Sequence, residues 1–159
     1  MPLALAGFNT ADPAELRPVL TACLAVPRWV DTILAGRPYD DLAALRLAAR
    51  IPLSSAEVRD AIAAHPRIGE QPKTEGTEAE WSRSEQSGVD NADAFTKANR
   101  EYEAKFGHVY LVCASGRSGD ELLDDLNRRL DNDSATELGV AGDELLKIAE
   151  LRLTKAVTE

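Results

Sequence analysis

Apolar side chains recur every three or four positions along most of the chain, which is the spacing of amphipathic α-helices. Signals that typically start a helix precede five of these stretches; they are Asp12-Pro13, Pro27, Asp40 or Asp41, Ser54 and Ser134. Ser54 and Ser134 are each followed three positions later by glutamate, the spacing of a capping box. The pattern therefore predicts a mainly helical protein.

Prolines and glycines mark where these helices stop. Pro18 should interrupt or kink the helix that begins at Pro13, and Pro66 should end the fourth helix at His65. Gly107 is a natural stop for a helix over residues 92–106. A further helix is predicted from about residue 120 to 130 and a long apolar one after Ser134.

Residues 109–114 form the one good β-like run in the sequence. Because no convincing second strand accompanies it, we expect a buried extended segment or a helix start rather than a sheet. The predicted fold is all-α, a single domain over residues 1–159 built as a bundle of about seven or eight helices.

Composition narrows the classes of partner. The chain has 159 residues, of which 44% are hydrophobic, and its 27 acidic and 18 basic residues give a net charge of −9. We expect no nucleic-acid partner, because an acidic chain without a basic patch repels phosphate backbones, and no membrane span, because no long apolar run exists. Cys23 and Cys113 are expected to be buried thiols, and the start of the chain favours the cytoplasm.

Two groups of residues are candidates for chemistry. His65, held beside Pro66, and His108 have side chains suited to proton transfer, although each also fits a structural role at a helix end. On a helix Ser82, Glu85 and Gln86 share one face, which fits either ligand recognition or an ordinary solvated surface. The motifs of metal, nucleotide and serine-hydrolase sites are missing from the sequence.

Several ordered motifs together resemble one family, the 2-oxo-4-hydroxy-4-carboxy-5-ureidoimidazoline (OHCU) decarboxylases. They are His65-Pro66-Arg67-Ile68-Gly69-Glu70, Ser82-Arg83-Ser84-Glu85-Gln86-Ser87-Gly88, Asn99-x-x-Tyr102-x-x-Lys105-Phe106-Gly107, and Lys147-Ile148-Ala149-x-x-Arg152-Leu153. The resemblance extends over nearly the whole chain, beginning at Pro27-Arg28-Trp29.

The resemblance implies a catalytic pair and a set of substrate contacts. It makes His65 the acid–base residue, with Glu85 as its catalytic partner. The implied substrate-binding residues are Pro66, Ser82, Gln86 and Arg152, with main-chain contacts between Tyr110 and Ala114 that we assign to Leu111 and Cys113. Arg117 is a weaker alternative to Arg152, and His108 is left out of the site.

The resemblance also implies an activity and its setting. The expected reaction is decarboxylation of OHCU to (S)-allantoin, the last step of urate oxidation, following urate oxidase and 5-hydroxyisourate hydrolase. It needs no cofactor and no metal, and the enzyme is expected to be a cytoplasmic homodimer. Two alternatives stay open: a relative acting on another ureido or hydantoin acid, and a non-catalytic helical binding module.

Overall fold

The computed structural model describes residues 2–64 and 92–159, and helices dominate both ranges. Within them the chain forms eight α-helices: α1 Leu5–Thr10, α2 Pro13–Cys23, α3 Pro27–Ala35, α4 Leu42–Ala48, α5 Ser55–Ala63, α6 Ala92–Phe106, α7 Gly119–Arg129 and α8 Ser134–Ala156. Two short strands, β1 Leu3–Ala4 and β2 Val157–Thr158, pair in parallel with Leu3 opposite Val157. The predicted all-α class is confirmed.

The local start signals of three helices act as predicted. The carboxylates of Asp12 and Asp41 accept hydrogen bonds of 2.8 Å from the main-chain N–H groups of Ala14 and Ala44. At α5 the predicted capping box is complete: Ser54 Oγ accepts from Glu57 N at 3.1 Å, and Glu57 Oε1 accepts from Ser54 N at 2.8 Å. These bonds satisfy donors that a helix start otherwise leaves unpaired.

Of the predicted interruption or kink at Pro18, the interruption is wrong, since α2 runs through Pro18 to Cys23. Proline removes one main-chain hydrogen bond from a helix. Helix α2 packs against α3 and buries Leu16, Leu20 and Cys23. Burial of this apolar surface offsets the loss of one hydrogen bond.

The second predicted capping box is also wrong. The helix start at Ser134 is capped by Asp133, whose Oδ1 accepts from Thr136 N at 2.7 Å. Hydrogen bonds from the main chain and the side chain of Thr136 lower the pKa of the Asp133 carboxyl. Glu137 is instead fully buried and serves tertiary partners described below.

Helix α1 was not predicted, and the contacts that hold it explain why. Asn9 exchanges two hydrogen bonds with the main chain of Tyr39, at 2.9 and 2.8 Å. Arg37 Nη1 donates to the carbonyl oxygens of Phe8 and Ala11 at 2.9 and 2.7 Å. The partners lie far along the chain, so a local sequence pattern carries no signal for them.

The described residues group into two compact units. One comprises Met1–Leu53 and Leu146–Glu159, and its core includes Trp29, whose Nε1 donates to the Ala49 carbonyl at 2.9 Å. The other comprises the described part of Ser54–Leu145, and a cluster of buried apolar side chains fills it. That cluster contains Ala98 and Tyr102 of α6, Tyr110, Val112 and Ala114, and Leu122 and Leu126 of α7.

Among the eight helices, none is both long and apolar enough to cross a membrane. The longest, α8, carries charged residues along its length. It continues through Gly139 and Gly142, and a side chain at Gly142 would meet Val58 at 3.1 Å.

Replacing Ser54 by alanine should destabilise the protein, because the N–H of Glu57 loses its acceptor and the capping box is lost. We expect the free energy of unfolding to fall by about 1 kcal/mol in urea titrations followed by circular dichroism. The matched control is Ser55→Ala, one position into the helix and exposed, which should change stability by less than about 0.5 kcal/mol. Equal effects of the two substitutions would contradict the capping role.

Candidate active site

Five of the eight predicted site residues lie outside the residues that the structure describes. They are His65, Pro66, Ser82, Glu85 and Gln86. Helix α5, which leads to them, ends at Ala63 with Ala64 as its C-cap, close to the predicted stop at His65. The remaining three, Leu111, Cys113 and Arg152, are described.

Leu111 and Cys113 lie in residues 109–114, which form neither helix nor strand, so of the two predicted forms the extended segment is present and the helix start is not. The side chains of Tyr110, Leu111 and Val112 are at most 3% exposed, and Cys113 is half-buried. Tyr110, Val112 and Ala114 all belong to the core cluster, and this every-second-residue pattern is that of an extended chain. Buried main chain outside a helix or sheet must find hydrogen-bond partners elsewhere.

One such partner is Arg129, at the end of α7. The residue is 4% exposed, and its Nη1 donates to the Leu111 carbonyl oxygen at 2.8 Å. The same guanidinium lies 4.7 Å from the centroid of the Tyr110 ring, in cation–π geometry. Arg129 therefore holds two neighbouring residues of the segment.

Glu137 of α8 neutralises that arginine. Its Oε1 accepts from Arg129 Nε at 2.6 Å and from the Tyr102 hydroxyl at 2.7 Å, and its Oε2 accepts from Asn132 Nδ2 at 3.0 Å. Burial acts to lower the pKa of Arg129, but the hydrogen bond and charge of Glu137 outweigh it, so the pKa lies above its usual value. The guanidinium is therefore a permanent cation.

The two tyrosines of this unit are drawn into the same network. The Tyr110 hydroxyl donates to Asp125 Oδ2 at 2.5 Å, and the Tyr102 hydroxyl donates to Glu137. Burial, reinforced by these carboxylate acceptors, raises the pKa of both tyrosines. Their hydroxyls are thus fixed donors rather than acids or bases near neutral pH.

Sequence reasoning missed this network. The local pattern assigns Glu137 to a capping box, and Arg129 is one of two basic residues in the last turn of α7. A usable signal existed, because Leu122, Leu126 and Arg129 share one face of α7, so the arginine falls on the buried side.

Arg152 of α8 is 1% exposed, and its Nη1 donates to the carbonyl oxygen of Ala22 at 3.0 Å. That carbonyl belongs to the last turn of α2, where main-chain acceptors have no partner within the helix. Burial raises the pKa of the neighbouring Cys23 thiol to about 12, and the charge of Arg152 opposes that rise. The predicted substrate-binding arginine is thus a deeply buried cation.

The structure also describes Arg117, the weaker alternative to Arg152, and His108, which the prediction leaves out of the site. Arg117 lies beside Glu144, with Nη2 3.5 Å from Oε1, and lines an open surface depression of about 470 Å³ together with Glu121, Asp124, Asp125 and Arg128. The His108 ring packs edge-on to Tyr102 at 5.5 Å and against Phe106 at 6.2 Å. Within the described ranges, no cluster of histidine, cysteine and acidic residues could hold a metal ion.

Comparison with protein families gives one match over most of the chain. The family described as OHCU decarboxylase matches residues 9–154. This span includes every predicted site residue.

Two relatives carry related names. The uric acid degradation bifunctional protein TTL of Arabidopsis thaliana is 30% identical over 149 residues, which cover 86% of this chain and 46% of that protein. The 2-oxo-4-hydroxy-4-carboxy-5-ureidoimidazoline decarboxylase of Haloferax volcanii is 28% identical over 134 residues, which cover 80% of each chain. The chain thus spans about half of the bifunctional relative and most of the other.

A solved structure has the same fold. The crystal structure of an OHCU decarboxylase in the presence of (S)-allantoin superposes with a TM-score of 0.71 at 24% identity, covering 91% of this chain and 97% of that one. The all-α architecture predicted from the sequence is therefore that of a known helical protein.

The three tyrosines of the chain should resist ionisation while the protein is folded. Tyr39, whose hydroxyl donates to Ile33 O at 2.7 Å, has its pKa raised by burial, as do Tyr102 and Tyr110. Because the unfolded hydroxyls ionise more readily, the free energy of unfolding should fall as the pH rises above about 10. In an alkaline titration, tyrosinate absorbance should appear together with loss of helical circular dichroism.

The urea-unfolded chain is the control for that titration and should ionise near pH 10, as model tyrosines do. A tyrosinate signal near pH 10 at full helicity would show that at least one hydroxyl is accessible, contrary to the hydrogen bonds described above.

Proposed function

The chain belongs to the OHCU decarboxylase family, and from this membership we propose that it converts OHCU to (S)-allantoin by decarboxylation without a cofactor. The observation that carries the proposal is the family match over residues 9–154, which includes the ordered histidine, glutamate–glutamine, asparagine–tyrosine–lysine and arginine motifs. Four motifs in sequence order are far more specific than any single one.

The residue types suit the chemistry. Loss of CO2 leaves an electron pair on a ring carbon, and the adjacent carbon–nitrogen double bond of the substrate can delocalise it. The substrate thus carries its own electron sink, so the protein has only to orient the carboxylate out of the ring plane and protonate one face.

We assign the proton transfer to His65 and a second catalytic role to Glu85. Glu85 orients the imidazole, binds ring N–H groups of the substrate or repels the leaving carboxylate. Ser82, Gln86 and Arg152 hold the polar groups of the substrate, and Pro66 forms part of the pocket wall. The burial of Arg152 supports its role, since a desolvated guanidinium forms strong charge-assisted hydrogen bonds to carboxylates and carbonyls.

The main chain of residues 109–114 supplies further hydrogen bonds, which we attribute to Leu111 and Cys113. Support comes from the burial of this segment and from its lack of helical or sheet pairing in the described structure. A hydrogen bond from such a desolvated main chain to a ligand is stronger than one made in water.

The setting of the reaction follows from the same proposal. The enzyme acts on the product of 5-hydroxyisourate hydrolase, which itself follows urate oxidase, and it works as a cytoplasmic homodimer. Residues 1–159 act as one decarboxylase domain, and the family match across both compact units supports this.

The substitution His65→Asn should remove most of the activity, because asparagine cannot exchange a proton near neutral pH. The measurement is the circular dichroism of allantoin formed when the protein is added to OHCU generated in place from urate by the two preceding enzymes. Wild-type protein should give rapid (S)-allantoin, and the variant should approach the slow spontaneous rate while keeping its helical spectrum.

The matched control is His108→Asn, which removes the other histidine of the chain and should leave turnover near that of the wild type. Near-normal turnover by His65→Asn would refute the assigned role. If the wild-type protein itself gives only slow racemic product, the related ureido or hydantoin acid and the helical binding module become the functions to test.

Glu85→Ala and Gln86→Ala should affect different kinetic constants. We expect Glu85→Ala to lower kcat and Gln86→Ala mainly to raise KM, because one side chain takes part in the chemistry and the other recognises substrate. Steady-state kinetics with OHCU would measure both constants. Small and equal effects of the two variants would place the site elsewhere.

A further inference from the structure

Stability alone does not explain why Arg129 and Glu137 form a buried ion pair. Taking two charges out of water costs free energy, and well-packed apolar side chains of similar size often stabilise a core as well or better. Arg129 is 4% exposed and Glu137 is fully buried, so both have lost their hydration. Their geometry therefore calls for another explanation.

That geometry converges on the extended segment. Arg129 Nη1 donates to the carbonyl oxygen of Leu111, and the guanidinium carbon lies over the ring of Tyr110. No apolar side chain could make the hydrogen bond to Leu111. The arginine thus fixes both the position of the segment along its own direction and its rotation about that direction.

Glu137 fixes the arginine in turn. Its Oε1 accepts hydrogen bonds from Arg129 Nε at 2.6 Å and from the hydroxyl of Tyr102, and its Oε2 accepts one from the side-chain amide of Asn132. A carboxylate with three separate donors has one orientation. Helices α6, α7 and α8 thereby determine where one carbonyl of a non-helical segment lies.

A second contact of the same kind restrains the neighbouring residue. The Tyr110 hydroxyl donates to Asp125, one turn before Arg129 on α7, and Asp125 Oδ2 lies 3.5 Å from Arg129 Nη1. Leu111 is therefore held by its main chain and Tyr110 by its side chain, both from the same helix face. A shift of the segment by one residue would break both contacts.

We propose that Arg129, oriented by Glu137, is a positioning residue that fixes the register of residues 109–114 for contact with the substrate. This inference rests on the proposed function, in which that segment binds OHCU through its main chain. Arg129 itself touches the segment and acts through it. A displacement of about 1 Å at a binding surface can cost up to about 100-fold in kcat/KM.

The test compares Arg129→Lys, Arg129→Met and Glu137→Gln with the wild type in steady-state decarboxylation of OHCU, well below the melting temperature of each. Lysine keeps the charge but lacks the fork that reaches Leu111 and Glu137 together. We expect each variant to raise KM by about 10-fold or more and to lower kcat much less, because the proton-transfer group is intact.

Two arginine variants serve as matched controls. Arg50→Met removes an exposed arginine that pairs with Glu150 through two hydrogen bonds of 3.2 and 2.8 Å, and Arg128→Met removes the neighbour of Arg129 on α7, whose side chain is 75% exposed. Neither arginine forms a described hydrogen bond or ion pair with residues 109–114. Arg128 donates to Asp125 Oδ1 at 2.8 Å, and its removal leaves Oδ2, which accepts from the Tyr110 hydroxyl, in place. Both variants should keep KM within twofold of the wild type.

Hydrogen–deuterium exchange of the main-chain amides gives a second measurement that does not depend on turnover. Amides of residues 109–114 should exchange at least about 10-fold faster in the Arg129 and Glu137 variants, while those of α2 and α3 stay unchanged. Binding of (S)-allantoin, followed by calorimetry, should weaken in parallel with the rise in KM.

The outcomes separate the two proposals. If the wild type neither decarboxylates OHCU nor binds (S)-allantoin, the proposed function fails, and unchanged exchange in the variants would then also overturn the positioning role. If the wild type is active but folded Arg129→Lys and Glu137→Gln keep its KM and its exchange rates, the positioning role is wrong. Failure of even Glu137→Gln to fold would make the pair a folding determinant and likewise overturn the inference.

Discussion

A carboxylate removed from water stays charged only when donors surround it, and Glu137 is surrounded by Arg129, Tyr102 and Asn132. Each donor comes from a different stretch of the chain, so the demand of one buried charge brings α6, the end of α7 and the start of α8 together. The extended segment is then attached to the same arginine. Arg129, Tyr102 and Asn132 are therefore all oriented by that carboxylate.

Arginine has a similar structural task at several other positions. Arg28, Arg37 and Arg152 each donate to main-chain carbonyl oxygens that lie in loops or in the last turn of a helix, where no helical partner exists. A guanidinium suits this task because it offers five donors in a rigid plane. Together with Arg129, these arginines hold the main chain, although the chain has more acidic than basic residues with which they could form ion pairs.

The sequence predicted those parts of the fold that depend on neighbours in the chain. The caps at Asp12, Asp41 and Ser54 were predictable because donor and acceptor lie within three residues. Helix α1 and the pairing of β1 with β2 were not, because their partners come from distant positions. At Ser134 the local pattern of a capping box is present, but Glu137 accepts a hydrogen bond from the buried Arg129 and does not cap the helix.

The candidate site divides in the same way. The histidine, glutamate and glutamine motifs stand out only because they resemble a family, and the family match extends over all of them. The support beneath residues 109–114 has no short motif, since Arg129 and Leu111 meet only through the tertiary fold. Periodicity places Arg129 on the buried face of its helix, but it does not say which carbonyl the side chain will reach.

The parallel pairing of Leu3 with Val157 has a consequence for the order in which the protein forms. Closing a loop that includes nearly the whole chain carries a large entropic cost, and contacts so distant in sequence form slowly. During synthesis, Leu3 leaves the ribosome long before its partner exists. Leu3 must therefore remain unpaired until Val157 has been synthesised, so this small sheet is expected to be among the last of the described elements to assemble.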